Sequence, residues 1–266
     1  MVAGEQRLAG KTAIVTGGGT SGPGVGTGRA ISVLFARAGA RVLIVDLVEE
    51  HARRTLDEIE ADGGEASVVQ ADVTSAGDCE AAVMTAVERY GALHILVNNV
   101  GIGARGSVID VSEADWDRTF DVNLKSMMLT SKFAIPRIVA SGGGSIINIS
   151  ALGAIRGLPR SGGVVAYAAS KGGVIAMTTS MAVAHGADGV RVNCILPGHL
   201  LSPMVLRNPR GLSQEERTHL RLSAPLETEG DGWDVGWAAV YLASDEARWV
   251  TGIALPVDAG LSAKLP

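Results

Sequence analysis

The sequence predicts an α/β fold, a doubly wound, seven-stranded parallel sheet with helices on both faces. Three observations predict it. Short runs rich in β-branched residues alternate with longer helical patterns along nearly the whole chain. The runs are apolar throughout rather than alternating, as strands covered on both faces are. Each run is separated from the next by a helix-length segment, which a right-handed crossover between parallel strands requires.

The elements follow in order. Strands are expected at 12–16, 41–45, 66–70, 95–97, 145–149, 190–195 and 253–257. Helices are expected between them near 29–38, 48–62, 76–90, 113–140, 165–186 and 233–243. Gly142-Gly143-Gly144 reads as the turn from the long fourth helix into the fifth strand. The segment 199–229 breaks the alternation: it carries Pro203, Pro209 and Pro225 and one charged helical stretch near 213–222. So long an excursion beside the carboxyl ends of the strands is a candidate substrate lid. No linker or repeat divides the 266 residues, so a single domain, 1–266, is expected.

Bulk properties exclude several function classes. The formal net charge is −5, with no basic block, so nothing suggests nucleic-acid binding. Cys79 and Cys194 are far apart, which argues against a disulfide framework and a zinc site and fits a reducing compartment. His51, His94, His185 and His219 are scattered without metal-ligand spacing, so no metal is expected. No apolar run reaches the length of a membrane span, and the first ten residues lack a signal-peptide core. The expectation is a soluble cytoplasmic protein with no membrane partner.

Between the first strand and first helix lies Gly17-Gly18-Gly19-Thr20-Ser21-Gly22-Pro23-Gly24-Val25-Gly26-Thr27-Gly28. Glycines in a strand-to-helix loop let the backbone approach a pyrophosphate at the helix amino terminus. Asp46 ends the second strand, 20 residues after Gly26. A carboxylate there accepts hydrogen bonds from the adenosine ribose and repels a 2′-phosphate. The loop has no Lys or Arg, so NAD is expected rather than NADP. Two motifs are decoys. Gly10-Lys11-Thr12 precedes the strand instead of following it, and position 5 is Glu5 where a phosphate-binding loop needs glycine. Asn148-Ile149-Ser150 has the form of a glycosylation sequon but ends a buried strand.

Tyr167 and Lys171 stand four apart in a helical pattern, which puts them on one face. A phenol is a poor base near neutral pH, because its ordinary pKa is about 10, and a nearby ammonium lowers it. Such a pair can make tyrosine a general acid/base.

These motifs resemble the short-chain dehydrogenase/reductase family in its conventional single-domain subtype. The likeness runs from Lys11 to about Gly260. It rests on Thr16-Gly17 with Gly26-Thr27-Gly28, Asp72-Val73, Asn98-Asn99-Val100-Gly101, Asn123, Ser150, Tyr167 with Lys171, Pro197-Gly198 and Asp258-Ala259-Gly260. The resemblance implies that Tyr167 is the catalytic acid/base and that Lys171 lowers its pKa and holds the nicotinamide ribose. It implies that Ser150 binds the substrate oxygen and that Asn123 anchors a water of a proton relay. Asn99 and Gly101 are implied to shape the cofactor cleft, Asp72 and Val73 to flank the adenine, and Pro197 and Gly198 to pass the nicotinamide. It also implies a homotetramer or homodimer built on helices near 113–140 and 165–186 and the region 233–260.

The chain departs from the family pattern twice. Eight residues, Gly18 to Val25, replace the usual three or so of the glycine loop, which leaves open which amides grip phosphate. Ser150 and Tyr167 are 17 apart, about four more than usual, with the excess near 158–163. Arg156 and Arg160 there are candidate anion contacts, weighed against solvent-facing arginines, and His199 is a candidate substrate contact. Ala259, where a glycine is often found, is expected to cost nothing functional. The leading expectation is an NAD(H)-dependent oxidoreductase acting on a small-molecule secondary alcohol or ketone. Leu200, Leu201, Met204, Val205 and Leu206 in the lid suit a substrate with an apolar body. The alternatives are a 3-oxoacyl thioester reductase using NADPH, a sugar or polyol dehydrogenase, and a catalytically silent dinucleotide sensor.

Overall fold

A computed structural model describes residues 6–22, 24–157, 163–206 and 212–264. Seven parallel strands form one sheet: β1 (Thr12–Thr16), β2 (Arg41–Asp46), β3 (Glu65–Gln70), β4 (Ile95–Asn98), β5 (Gly144–Ile149), β6 (Val190–Pro197) and β7 (Ala254–Val257). Their spatial order is β3-β2-β1-β4-β5-β6-β7. The order reverses between β1 and β4, and the crevice outside the carboxyl ends of those strands is where a doubly wound sheet receives a ligand.

The helices are α1 (Thr27–Arg37), α2 (Glu49–Ala61), α3 (Ala76–Tyr90), α4 (Glu113–Phe120), α5 (Ser126–Ala140), α6 (Val165–His185), α7 (Pro203–Leu206), α8 (Gln214–Ser223) and α9 (Gly232–Ala243). On one face, Ile31, Val33 and Phe35 of α1, Ala52 and Ile59 of α2, and Val235, Ala239 and Val240 of α9 close over Val15, Val42, Ile44 and Val97. On the other, Cys79, Val83 and Ala86 of α3 and Leu129, Ala134 and Ile138 of α5 cover Ile14, Leu43, Leu96 and Ile146. Burial on both faces is why the inner strands β1, β2, β4, β5 and β6 read as nearly unbroken apolar runs. Trp233 packs against the first core, while Trp237, one turn on, is exposed.

One expectation needs correction. The pattern 113–140 is not one helix. A π turn at Asp121–Lys125 separates α4 from α5, inserting a wider turn that mean hydrophobic periodicity does not register. Ala259 adopts φ 54°, the left-handed region in which a Cβ is disfavoured by about 1–2 kcal/mol.

The excursion 199–229 leaves and rejoins the body at one place. Leu200 bridges Gly230, and the Leu201 amide donates to the Gly230 carbonyl at 2.8 Å. Between these feet lie α7 and α8, the latter started by a reciprocal cap between Ser213 and Glu216. No described helix is long and apolar enough to cross a membrane.

Candidate active site

The glycine loop begins where β1 ends and is held from both sides. Gly17 N donates to the Val45 carbonyl at 2.7 Å, and Asn99 Nδ2 donates to the Gly17 carbonyl at 3.0 Å. Thr16 Oγ1 accepts from the Asn99 amide at 3.1 Å, so β1 and β4 are tied together at the mouth of the crevice. Gly28 lies in the first turn of α1 against this loop. A Cβ there would sit 1.9 Å from the Gly17 carbonyl oxygen, so only glycine permits the helix to pack so closely on the strand end. Gly26 caps α1 without a side-chain hydrogen bond, and the first turn holds no acidic residue. The leading amides of α1, which include that of Thr27, are thus left for an anion.

Asp46 closes the other wall. Its Oδ2 accepts from Gly19 N at 3.0 Å and its Oδ1 from Val48 N at 3.1 Å. A carboxylate keeps acceptor capacity beyond two bonds, so the ribose hydroxyls still have partners here. Thr20 follows, buried, with an Oγ1 that has no hydrogen-bond partner among the described residues. Asp72 is exposed and accepts from Thr74 at 2.9 Å, while Val73 is buried beside Ala71. The uncapped helix start, the glycine-lined turn and the fixed carboxylate fit the phosphates and adenosine ribose of a dinucleotide.

The catalytic candidates come together near Gly101. A Cβ on Gly101 would lie 3.0 Å from Lys171 Nζ and 3.4 Å from Asn123 Oδ1, so one stretch of bare backbone separates the two side chains. Lys171 is buried on α6 and donates to the Ile149 carbonyl at 2.8 Å. Asn123 is fully buried in the π turn. Its Oδ1 accepts from Ile102 N at 2.7 Å, and its Nδ2 donates to the Ile102 carbonyl and to Ser170 Oγ, both at 3.0 Å. π turns recur at functional sites because the extra residue re-aims a side chain, as it does for Asn123.

Two details differ from expectation. Ser150 Oγ donates to the Lys171 carbonyl at 2.7 Å, so its single proton faces α6. The hydroxyl must rotate to donate to a substrate oxygen; as it stands it offers lone pairs. Burial pushes the Tyr167 phenol above its ordinary value of 10.0, the opposite of the lowering expected from Lys171. Lys171 is itself lowered to about 8, chiefly by burial. Both shifts have one physical cause: the pocket withholds water from the charged form of each group.

Sequence reasoning missed two neighbours. Ser170 links Asn123 to the Tyr167 carbonyl, to which it donates at 2.8 Å; its place between Tyr167 and Lys171 was the available signal. Cys194 lies within electrostatic reach of Lys171, and burial raises its thiol to about 11. Beneath the site, Thr130, Asn98, Asn148 and Thr178 form a buried chain across β4 and β5, with Asn98 Nδ2 to Asn148 Oδ1 at 2.8 Å. That chain turns the would-be sequon Asn148 inward.

Pro197 and Gly198 leave β6 beside β7, and Gly198 N donates to the Val257 carbonyl at 2.9 Å. His199 is exposed, within electrostatic reach of His219 on α8. Arg156 is exposed and bonds the Ser262 carbonyl, which gives its guanidinium a partner within the chain. Arg160 and most of the extra residues before Tyr167 lie outside the described residues.

The chain matches a family model described as enoyl-(acyl carrier protein) reductase over residues 23–262. It is 39% identical over 256 residues to a 2,5-dichloro-2,5-cyclohexadiene-1,4-diol dehydrogenase from Sphingobium indicum, covering 96% of this chain and 98% of that one. It is similar to the solved structure of carveol dehydrogenase from Mycobacterium avium in complex with NAD, with a TM-score of 0.88, 30% identity and coverage of 97% and 99%. A 7α-hydroxysteroid dehydrogenase complexed with NADH and 7-oxo glycochenodeoxycholic acid superposes with a TM-score of 0.87, 32% identity and coverage of 96% of both chains.

Proposed function

This chain belongs to the short-chain dehydrogenase/reductase family, and from that premise we propose an NAD(H)-dependent enzyme that interconverts a secondary alcohol and a ketone. The observation that carries the proposal is the meeting of Asn123 and Lys171 at Gly101, with Ser150 bonded to the Lys171 carbonyl and Tyr167 one turn before Lys171 on α6. The nicotinamide supplies the chemistry of accepting or delivering the hydride. Tyr167 Oη takes the proton from the alcohol in one direction and returns it to the ketone oxygen in the other. Ser150 Oγ, its proton turned from the Lys171 carbonyl by rotation about Cβ–Oγ, donates to the same oxygen. Lys171 carries its charge below pH about 8, and that charge is the one this reading sets against the burial that raises the phenol. Lowering a phenol by three units takes about 4 kcal/mol of differential stabilisation, within reach of one cation in a pocket of low dielectric. Asn123 holds the 102 backbone and Ser170 so that the ammonium and the phenol keep their places.

Asp46 favours NAD over NADP, since a carboxylate clamped by two amides cannot swing away from a 2′-phosphate. The relatives named above act, by their names, on cyclic alcohols or ketones. A cyclic or aliphatic substrate with an apolar body therefore fits best, under a lid bearing Leu200, Leu201 and Val205. The description of the family model favours a second reading, a thioester reductase acting on an acyl carrier. Its usual NADPH would meet Asp46. We place the chain in a homotetramer, for which the exposed apolar residues of α9 and the turn into β7 are the support.

A panel of cyclic and acyclic secondary alcohols offered with NAD and with NADP, followed by absorbance of the reduced cofactor, tests the proposal. NAD-linked turnover of at least one alcohol is expected; turnover only with NADPH and acyl thioesters would transfer the assignment to the second reading.

A further inference from the structure

The enlarged glycine loop has two limbs that lean on different neighbours. The inner limb, Gly18–Thr20, leans on the β2–α2 corner: Gly19 N donates to Asp46, and Thr20 N donates to the His51 carbonyl at 3.1 Å. The outer limb, Gly24–Gly26, turns the other way, towards the excursion 199–229. A Cβ on Gly24 would lie 2.8 Å from Leu206 Cδ1 and 3.1 Å from the Leu201 carbonyl oxygen. A Cβ on Gly26 would find Pro203 at 3.8 Å. A Cβ on Gly232 would lie 2.7 Å from the Val25 carbonyl oxygen and 2.8 Å from that of Gly26.

Both feet of the excursion therefore meet this limb. The outgoing foot is Leu201 with α7. The returning foot is Gly230–Gly232, already bonded to the outgoing one through Leu201 N. The extra loop residues supply the backbone on which the feet rest. Glycines bring that backbone into contact, and Gly24 at φ 84° makes the turn. Pro203, buried at the start of α7, fixes the outgoing foot over Gly26.

We propose that the outer limb Gly24–Gly26 is the seat of the substrate lid, so that the cofactor loop also sets substrate affinity. Gly24 and Leu206 act as positioning residues: they hold the lid base and touch neither the hydride nor the proton. The inference deepens the alcohol dehydrogenase assignment and rests on it for the identity of the substrate.

The test uses the full chain. Hydrogen exchange of amides 200–206 is measured in the ligand-free protein for wild type, Gly24→Val and Leu206→Ala. NAD affinity is measured by calorimetry, and kcat and KM on the best alcohol of the panel. A valine at 24 meets both the left-handed backbone and the two contacts. About ten-fold faster exchange at 200–206 is expected in both variants, as local opening gains about 1.4 kcal/mol. In Leu206→Ala, KM for the alcohol should rise several-fold, with kcat and the NAD dissociation constant within two-fold of wild type. If Gly24→Val fails to fold, Leu206→Ala decides, since truncating that side chain empties the seat without altering the loop. Unchanged lid exchange in the folded variants would overturn the proposal. So would a loss of NAD affinity that matches the rise in KM. If wild type oxidises no alcohol, the functional assignment fails, while the exchange measurement still decides whether the limb seats the lid.

Discussion

Lys171 is buried, and the described hydrogen bond of its ammonium is to one carbonyl, that of Ile149. Its pKa of about 8 stands below the ordinary 10.5, so the unfolded chain holds more protons between those values. Stability from this group therefore rises with pH across that window and is lost as pH falls through about 8. At pH 7 the buried charge costs about 3 kcal/mol. Replacing it by methionine removes that cost but leaves the Ile149 carbonyl without its donor, which takes back about 1 kcal/mol. Lys171→Met is thus expected to stabilise the fold by about 2 kcal/mol at pH 7 and to lose the advantage by pH 10.5, while activity falls about 100-fold or more. Urea melts of both proteins at the two pH values check this; a variant less stable than wild type at pH 7 would refute it. Tyr167→Phe removes the proposed proton carrier and should cost at least as much in kcat with the fold intact. Full ketone turnover by that variant would end the catalytic assignment. The candidates Tyr167, Lys171, Ser150 and Asn123 could be named from the sequence because the proposed chemistry constrains residue type and spacing. The orientation of the Ser150 proton was not, since it depends on a carbonyl of α6 that becomes its neighbour only after folding.

Among the elements, the strands were legible to within one or two residues, because parallel strands buried on both faces leave an unbroken apolar signal. The π turn at Asp121–Lys125 was not: one extra residue per turn barely changes a helical pattern. Nor was the seating of the lid on the glycine loop, which joins segments about 180 residues apart. One contact between strand ends carries a pH dependence. His94 precedes β4, and its Nδ1 accepts from Thr12 N, the first amide of β1, at 3.0 Å. Burial, then Lys11 and Arg41, hold its pKa below 6.5. The unfolded chain takes up the proton first as pH falls. The contribution is therefore complete above 6.5 and is lost as pH drops towards the lowered folded value. His94→Asn, whose Oδ1 can accept the same amide without titrating, should flatten the melting temperature between pH 7 and 5 relative to wild type. The histidine is partly exposed, so the effect should be modest, within about 1 kcal/mol. Parallel slopes in the two proteins would show that His94 does not carry it.

At the scale of the whole molecule, the sheet ends on β7, which pairs with β6 on one side alone among the described strands. A bare edge invites another strand, yet β7 carries Pro256, which has no N–H to offer a ladder. Exposed apolar residues stand on the neighbouring elements. Trp249 is 91% exposed and Trp237 57%, with Tyr241 one turn from Trp237 on the same face of α9 and Ile253 just before the strand. Two exposed indoles and a phenol near one sheet edge make a patch of the kind that marks a protein interface. The combination argues for association by side-chain packing of α9 and the turn 249–253, with strand-to-strand pairing excluded by the proline. A second surface, on α5 and α6, exposes Met128, Val139 and Val183. Two independent faces on one chain can close a tetramer with dihedral symmetry, in which each interface is self-complementary. Light scattering at micromolar concentration should therefore report a tetramer. Trp237→Glu with Trp249→Glu places a charge in each half of the first interface and should reduce the particle to a dimer held by α5 and α6, with the subunit still folded. A wild-type monomer would refute the assembly outright. A double variant that remains tetrameric would move the interface away from β7, leaving the exposed indoles to contact something other than a second copy of this chain.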